Sequence, residues 1–167
     1  MALCLVMLCG TDEPSQEYKL KAAFICNFAR FIEWPPGSFA NDDAPFVIGV
    51  VGADPFNGAL EQAVAGKKVG SRRVEIRHLG AVDKITSCQI LVIPTTDDES
   101  ESAILRKVGK DPVLSIGESD SFCALGGCIR FFTEDNKMRF EINVDATDQA
   151  QLKISSKLLK LARIFKK

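Results

Sequence analysis

The sequence predicts one α/β domain of three layers, with a mixed, mostly parallel sheet, a C-terminal antiparallel hairpin and helices on both faces. Short uncharged runs such as "FVIGVVG" and "QILVIP" are typical of strands that are buried on both faces. In the first half of the chain these runs alternate with helical patterns, as in right-handed βαβ units. The 167 residues contain no internal repeat, low-complexity tract or linker, so we expect a single domain over residues 15–167.

The first helix is predicted between residues 15 and 34, where apolar side chains recur at helical spacing. That apolar stripe consists of Leu20, Phe24, Phe28, Phe31 and Ile32. We expect the helix to stop at Trp34, because Pro35 disfavours helical geometry in the residue before it. A second helix is predicted to start with Asp54 as its N-cap and to run to about Ala65.

The middle of the chain predicts a strand, a helix and another strand. "RRVEIRHL" alternates apolar and charged residues, which is typical of a strand with one wet face. "TTDDESESAILRKVGK" begins acidic and ends basic, as suits the dipole of a helix. "DPVLSIGE" is predicted as a buried strand, followed by one helical turn in residues 118–124.

The stretches "CIRFFT" and "KMRFEINV" predict a hairpin around the turn "EDN". In the second strand Arg139, Glu141 and Asn143 face one way, because successive side chains of a strand alternate. A last helix is predicted from about residue 145, and its segment "LKISSKLLKLARI" combines an apolar arc with a lysine stripe. Such a helix suits a membrane surface or the edge of a packed domain. We favour the packed helix with a solvated basic face.

Composition excludes several classes of protein. With 21 basic and 22 acidic side chains the net charge is -1, whereas nucleic-acid-binding domains are usually basic. No apolar run reaches the length of a membrane span. The opening "MALCLVMLCG" is interpreted as the remnant of an export signal in residues 1–10, with a frayed apolar terminus as the alternative. A lipoprotein acylated at Cys9 is disfavoured because Leu8 is bulky.

The chain contains six cysteines, of which four lie beyond the predicted export signal: Cys26, Cys88, Cys123 and Cys128. Cys123 and Cys128 flank "ALGG", and its glycines allow the tight turn that a local disulfide needs. Two free thiols are the alternative. A zinc site is disfavoured, since the whole chain has only one histidine that could complete a tetrahedral ligand set with these two cysteines.

No catalytic constellation is evident, so we predict neither an enzyme nor a cofactor or metal site. His78 is the only histidine, and a structural or surface role is expected for it. "GVVGADPFNG" lacks the G-x-G-x-x-G spacing and no G-K-[ST] motif occurs. The acidic run that begins at Asp97 is interpreted as a solvated helix start.

Trp34 is the only tryptophan and stands between Glu33 and two prolines. The simplest interpretation is a core aromatic that caps a helix. The alternative is a ligand- or partner-binding site, because rigid aromatic groups beside charges are common in such sites. In that hypothesis Glu33, Trp34, Arg139 and Glu141 fix a small aromatic or charged ligand.

Seven stretches, in their order and spacing, resemble the YfiR-type family of bacterial periplasmic proteins: "YKLKAAFICNFARFIEWP", "VVGADPF", "CQILVIP", "PVLSIGES", "GGCIRFF", "RFEIN" and "LKISSKLLKLAR". The resemblance covers nearly the whole chain. It implies an α/β domain, usually dimeric, without known enzymatic activity. It further implies repression of a membrane-bound diguanylate cyclase through binding to the periplasmic sensor region of that enzyme.

The same resemblance implies an OmpA-like outer-membrane lipoprotein that sequesters the repressor, and control of cyclic-di-GMP and biofilm formation. The alternative function is a periplasmic small-molecule sensor acting on another membrane signalling protein. The resemblance also implies the bridge Cys123–Cys128, which suits an oxidising compartment. Redox-responsive members join a cysteine near Cys88 to one in the first strand, but "PFVIGVV" has none. Cys88 therefore either pairs with Cys26 or stays a thiol.

Overall fold

A mixed sheet with helices on both faces forms the centre of the protein, which confirms the α/β prediction. The computed structural model describes residues 13–80, 85 and 87–167, so the export signal predicted for residues 1–10 lies outside the described residues. The strands of the described part are β1 (Ile32–Glu33), β2 (Phe46–Val51), β3 (Lys68–Val69), β4 (Arg72–Leu79), β5 (Ile90–Val92), β6 (Leu114–Gly117), β7 (Ile129–Glu134), β8 (Lys137–Ile142), β9 (Lys153–Ile154) and β10 (Arg163–Ile164). Its helices are α1 (Gln16–Phe31), α2 (Ala59–Val64), α3 (Asp98–Val108), α4 (Val144–Gln149) and α5 (Ser156–Leu161).

Within the described residues, eight strands are hydrogen-bonded in the order β10-β8-β7-β6-β5-β2-β4-β3. From β4 through β2, β5 and β6 to β7, each strand of this row is parallel to the next. Strand β8 runs antiparallel to β7, as the hairpin prediction requires, and β3 runs antiparallel to β4. The uncharged strand β2 lies at the centre, with Ile48 opposite Ile76 on one side and Ile90 on the other.

The sheet separates two hydrophobic clusters. One cluster lies under α1 and α2 and takes the side chains of Phe46, Ile48 and Val50 from β2. The other lies under α3 and takes Val47 and Val51 from the same strand. Alternate side chains of a strand point to opposite faces, so an entirely apolar β2 stabilises both layers at once.

The first helix is shorter than predicted, and only part of its predicted apolar stripe is buried. Phe28 and Ile32 of that stripe are buried, together with Ile25, whereas Leu20 and Phe31 are 45% and 38% exposed. The helix ends at Phe31 because Ile32 is extended and pairs with Ile154 in a separate two-stranded sheet of β1 and β9. Pairing with a distant strand therefore ends the helix before the prolines do.

The second helix begins at Ala59, not next to Asp54 as predicted. The Asp54 carboxylate accepts a hydrogen bond from the Phe56 N–H at 2.8 Å, which forms a turn and not a helix cap. Asn57 and Gly58 then have φ angles of 48° and 84°, which no right-handed helix contains. The helix can start only after them.

The single C-terminal helix predicted from the last apolar stripe is wrong. The segment forms α4, β9, α5 and β10 in turn. Gln151, with a φ of 57°, follows α4, and the Ser155 hydroxyl caps α5 by accepting from the Leu158 N–H. Within α5 only Leu158 is buried, and Leu161 is 74% exposed. Among the described residues, every helix is too short or too polar to span a bilayer.

Candidate functional site

Trp34 is anchored at the amino ends of the central strands. Its indole N–H donates to the Gln89 carbonyl at 3.2 Å, and its ring meets Phe46 edge to face with centroids 4.9 Å apart. The Gln89 side chain accepts from the Val47 N–H and donates to the Ser38 carbonyl. These bonds connect the loop after Trp34 to β2 and β5. The structure therefore gives Trp34 the contacts of a half-buried core aromatic.

Glu33 lies beside Trp34 in the chain but belongs to a different surface. It is exposed on β1, where Lys153 of β9 lies directly opposite. A carboxylate facing a lysine across an antiparallel pair stabilises that pair modestly.

Arg139 and Glu141 lie on the face of the hairpin that points away from α1, here called the outer face. It consists of Arg130, Phe132, Glu134, Arg139, Glu141 and Arg163. Glu141 is nearly buried and binds the Arg130 guanidinium at 3.2 Å. Arg130 also binds Asp120 at 2.6 Å, so one buried cation is shared between two carboxylates.

The remainder of the outer face is open to solvent. Two guanidinium groups contact the Phe132 ring, that of Arg163 at 4.3 Å and that of Arg130 at 5.0 Å from its centroid. The Glu134 carboxylate binds both Arg139, at 3.2 Å, and Arg163. Aromatic and arginine side chains held this way are pre-organised for contact with a partner.

The structure does not bring the four predicted site residues together. Trp34 contacts Phe46 and Gln89, at the amino ends of β2 and β5. Glu141 lies opposite Arg130, and Arg130 is level with Gly117, the last residue of β6. These positions belong to opposite ends of the sheet, so Arg139 and Glu141 share a face while Glu33 and Trp34 lie elsewhere.

A buried lysine is the feature that the sequence prediction missed. Lys21 is only 2% exposed, and its ammonium group donates to Glu17 at 2.5 Å and to Glu118 at 2.8 Å. Helical spacing places Lys21 on the same face of α1 as Ile25, four residues later, so the sequence could have indicated its burial. Its partner Glu118 is 97 residues away, and no local pattern indicates that contact.

Lys21, Glu17 and Glu118, here called the Lys21 cluster, border a groove that reaches the outer face. The groove holds about 270 Å³ and is lined by Glu17, Lys21, Glu118, Asp120, Phe131, Phe132, Thr133 and Met138. Phe132 and Asp120 belong to the groove as well as to the arginine network. The groove and the outer face therefore form one continuous polar surface with an aromatic centre.

The segment between β6 and β7 is held against the start of the hairpin. The ring of the fully buried Phe122 lies between two glycines, since a Cβ at Gly117 or Gly127 would approach it to 2.3 Å or 2.1 Å. The Asn143 side chain donates to the Cys123 carbonyl at 2.9 Å. The helical turn predicted for residues 118–124 is a series of turns fixed by these contacts.

All four cysteines of the described residues are buried thiols. The pKa of Cys123 is raised to about 12, first by burial and then by the negative charge of Glu141. The bridge between Cys123 and Cys128 stays a prediction. Cys26 belongs to the cluster under α1 and Cys88 to the cluster under α3, so the sheet lies between them. Of the two possibilities for Cys88, this geometry favours the free thiol.

A crevice opens at the carboxyl ends of β2 and β5. The chain leaves β2 towards α2 on one face and leaves β5 towards α3 on the other, which is the arrangement that creates ligand crevices in open α/β sheets. It holds about 460 Å³ and is lined by Tyr18, Val51, Gly52, Ala53, Asp54, Pro55, Pro94, Thr95 and Ile104. None of the four predicted site residues lines this crevice.

A family model described as YfiR/HmsC-like matches residues 18–163. The chain belongs to the YfiR/HmsC-like family. Members of this family are periplasmic regulators of cyclic-di-GMP signalling. The resemblance inferred from the seven motifs is thereby confirmed, and the matched span contains the crevice, the outer face and the groove apart from Glu17.

This YfiR/HmsC-like chain is similar to two solved structures, and the first of them supports the fold. A conserved domain protein from Vibrio cholerae O1 biovar El Tor is 11% identical with a TM-score of 0.56, and the match covers 89% of this chain and 60% of that one. An ABC domain in complex with L-Trp from Streptococcus pneumonia is 10% identical with a TM-score of 0.49, covering 71% and 55%. The chain thus spans less than two thirds of each of these proteins.

Proposed function

We propose that the chain is a negative regulator that binds the periplasmic sensor region of an inner-membrane diguanylate cyclase and so lowers cyclic-di-GMP and biofilm formation. The family match over residues 18–163 carries this proposal. Repression by binding requires a tighter complex with the inactive conformation of the cyclase than with the active one. A tenfold bias between the two conformations takes about 1.4 kcal/mol of differential affinity.

The open part of the outer face is the contact surface in this proposal. Phe132 supplies an aromatic centre, and Arg139 and Arg163 supply charges that are about half exposed. Arginine and aromatic side chains are enriched among the residues that dominate binding energy at protein interfaces. The ion pairs with Glu134 hold both arginines in place before a partner arrives.

A pull-down tests the partner and the surface together. The purified protein is immobilised and incubated with detergent-solubilised bacterial membranes, and the retained proteins are identified by mass spectrometry. We expect a diguanylate cyclase, with retention reduced about tenfold or more by Phe132→Ala or Arg139→Ala. Arg73→Ala is the matched control, because Arg73 is an exposed arginine on the distant strand β4.

Two outcomes separate the surface from the function. Equal retention of the cyclase by all three variants contradicts the outer face as the contact surface. Failure of the wild-type protein to retain any cyclase contradicts the proposed function itself. In cells, deletion of the gene is expected to raise cyclic-di-GMP only in strains that still contain the cyclase.

The proposal includes one further partner and an oligomeric state. An OmpA-like outer-membrane lipoprotein would relieve repression by sequestering the regulator. The regulator itself would act as a homodimer. Sedimentation velocity of the purified chain tests the dimer. Adding the periplasmic part of such a lipoprotein to the pull-down tests sequestration, because competition predicts that the cyclase is released.

The crevice between β2 and β5 favours a second candidate function, a small-molecule sensor. Its walls are largely apolar, with the Asp54 carboxylate and the Thr95 hydroxyl as polar groups. A screen of small metabolites by thermal shift tests this function in the isolated protein. A ligand of the crevice is expected to lose its effect in Ala53→Trp, which fills the space. A ligand whose effect survives in that variant binds elsewhere.

A further inference from the structure

The only histidine of the chain lies between two carboxylates at the surface. The Nε2 atom of His78 is 3.0 Å from Glu61 Oε1, and its Nδ1 atom is 3.5 Å from Asp54 Oδ2. One potential ligand atom from each of the three residues lies within 4.8 Å of the others. Within the described part of the chain, no other group of three such residues meets this condition.

Three separate elements of the fold supply these residues. His78 is the penultimate residue of β4, Glu61 lies in the first turn of α2, and Asp54 follows β2. The other carboxylate oxygen of Asp54 accepts from the Phe56 N–H at 2.8 Å, which fixes the side chain with Oδ2 towards the imidazole. A ligand that is oriented by a second hydrogen bond is typical of metal sites.

Two carboxylates flank the single imidazole, so this surface cluster presents two anionic oxygens and a ring nitrogen that can each bind a cation. The ring is about half exposed and Glu61 is exposed, so an ion can reach them from solvent.

We propose that Asp54, Glu61 and His78 bind one divalent transition-metal ion, with Zn²⁺ as the best match. One imidazole nitrogen and two carboxylate oxygens are common zinc ligands, and three protein ligands leave a fourth position for water. The ring nitrogens face different carboxylates, so the exposed Glu61 side chain rotates to the ion that His78 and Asp54 approach. This site does not depend on the proposed repressor function.

Zn²⁺ binding to the untagged protein, freed of metal with a chelator, tests the proposal. Isothermal titration calorimetry is expected to give one ion per chain. Because the chain has a single histidine, the imidazole ¹⁵N signals in an NMR spectrum report on His78 alone. We expect these signals to shift on Zn²⁺ addition and the shift to saturate at one equivalent.

Four variants locate the ion. His78→Gln, Asp54→Asn and Glu61→Gln are each expected to weaken binding by about tenfold or more. Glu99→Gln is the matched control, because it removes the same charge from an exposed position of α3 and should bind as the wild type does. Circular dichroism of each variant verifies that it is folded.

Three outcomes overturn the proposal. The first is an imidazole spectrum that does not change when Zn²⁺ is added, which would mean that His78 binds no ion. The second is unchanged affinity in His78→Gln, which would place the ion elsewhere. The third is wild-type affinity in both carboxylate variants, which would reduce the site to a lone imidazole.

Discussion

Lys21 places a positive charge inside the protein, on the helix face that also holds Ile25 and Phe28. Burial alone lowers a lysine pKa, but the hydrogen bonds to Glu118 and Glu17 outweigh it and the Lys21 pKa is raised. A buried charge that loses its partners is costly, whereas a satisfied one is nearly neutral for stability. Lys21 is therefore compatible with a stable fold only while both of its hydrogen-bonded carboxylates are present.

We predict that Lys21→Met lowers the free energy of unfolding by about 1–3 kcal/mol, because Glu118 is left without its cation. Urea unfolding followed by circular dichroism measures the change. Lys19→Met is the control, since the Lys19 side chain is only partly buried and lies 3.7 Å from the exposed Glu13. An equal loss in both variants would contradict the role of the buried pair.

The raised pKa of Lys21 also predicts a pH dependence. Its contribution to stability is fully present below the unfolded-state pKa of about 10.5 and is lost as the pH rises through the higher folded-state value. The difference in the free energy of unfolding between the wild type and Lys21→Met should thus become smaller as the pH rises through the folded-state pKa of Lys21. A difference that stays constant there would contradict the charge-based explanation.

Glu101 is the opposite case, a carboxylate whose burial is incompletely compensated. Its Oε2 atom accepts from the Ser119 hydroxyl at 2.5 Å, while Oε1 has no hydrogen-bond partner among the described residues. Burial raises the Glu101 pKa, the Ser119 bond opposes this effect, and the charges of Asp98 and Asp97 add to it. Ionised Glu101 therefore costs stability.

We predict that the stability of Glu101→Gln relative to the wild type rises by about 1 kcal/mol between acid pH and pH 7, because the amide keeps the acceptor for Ser119 without the charge. The NH2 group in the unpaired position of Oε1 costs the same at both pH values. The folded-state pKa is raised, so protonation favours folding below about pH 4.5 and this benefit is lost as the pH rises. Urea unfolding at acid pH and at pH 7 measures this rise. Glu99→Gln, on the exposed side of α3, should show no such pH-dependent gain.

At the scale of elements, the C-terminal segment shows how backbone conformation overrides periodicity. Its apolar residues recur at helical spacing, yet Gln151 adopts a left-handed conformation and ends the helical run. The chain then pairs β9 with β1, and the Ser155 N–H donates to the Phe31 carbonyl at 3.0 Å. The C-terminal segment therefore also caps the last turn of α1, through this hydrogen bond to Phe31.

We predict that Gln151→Gly raises the free energy of unfolding by about 0.5–1 kcal/mol, because glycine adopts a φ of 57° without steric cost. Thermal unfolding measures the change. Gln149→Gly is the control, since the same substitution inside α4 removes helix propensity and should destabilise. Destabilisation by both would mean that the Gln151 side chain matters more than its backbone.

These elements also show what a sequence can and cannot predict. The buried strands, the hairpin and the acidic start of α3 were predicted correctly, because each depends on neighbouring residues. The strands β1 and β9 have two residues each and no periodicity of their own. Only contact between distant segments forms them, so no local pattern indicates them.

At the scale of the whole molecule, the sheet divides the interior into two compartments. Cys26 belongs to one and Cys88 to the other, while Cys123 and Cys128 lie at the two ends of the segment that covers the start of β7. Burial raises the pKa of Cys88 to about 12, so its thiol is neutral and unreactive at neutral pH.

We predict that alkylation without reductant labels Cys26 and Cys88 only after the protein is unfolded. Cys123 and Cys128 should resist labelling even then, because we propose that they form a disulfide in an oxidising compartment. Peptide mass spectrometry distinguishes all four. Recovery of a Cys26–Cys88 bridge would contradict the separation by the sheet, and labelling of Cys123 before reduction would contradict the local bridge.

The candidate site shows the same limit as the elements. Arg139 and Glu141 were predicted to share a face, because alternation along one strand decides it. Trp34 was expected near them, but the distance between two strands depends on strand order and register, which β5 and β6 set. The arginine pair around Phe132 requires β10 to lie beside β8, and a two-residue strand gives no warning of that.

The central strand has a consequence for the chain before it is folded. Its six residues, "FVIGVV", carry no charge and no proline, and both of their faces are apolar. Before β2 pairs with β4 and β5, this segment can associate with the same segment of another molecule. The refolding yield should therefore fall steeply as the protein concentration rises. Gly49→Asp should reduce this aggregation, although its side chain also prevents formation of the native sheet. Light scattering during dilution from urea compares the two chains.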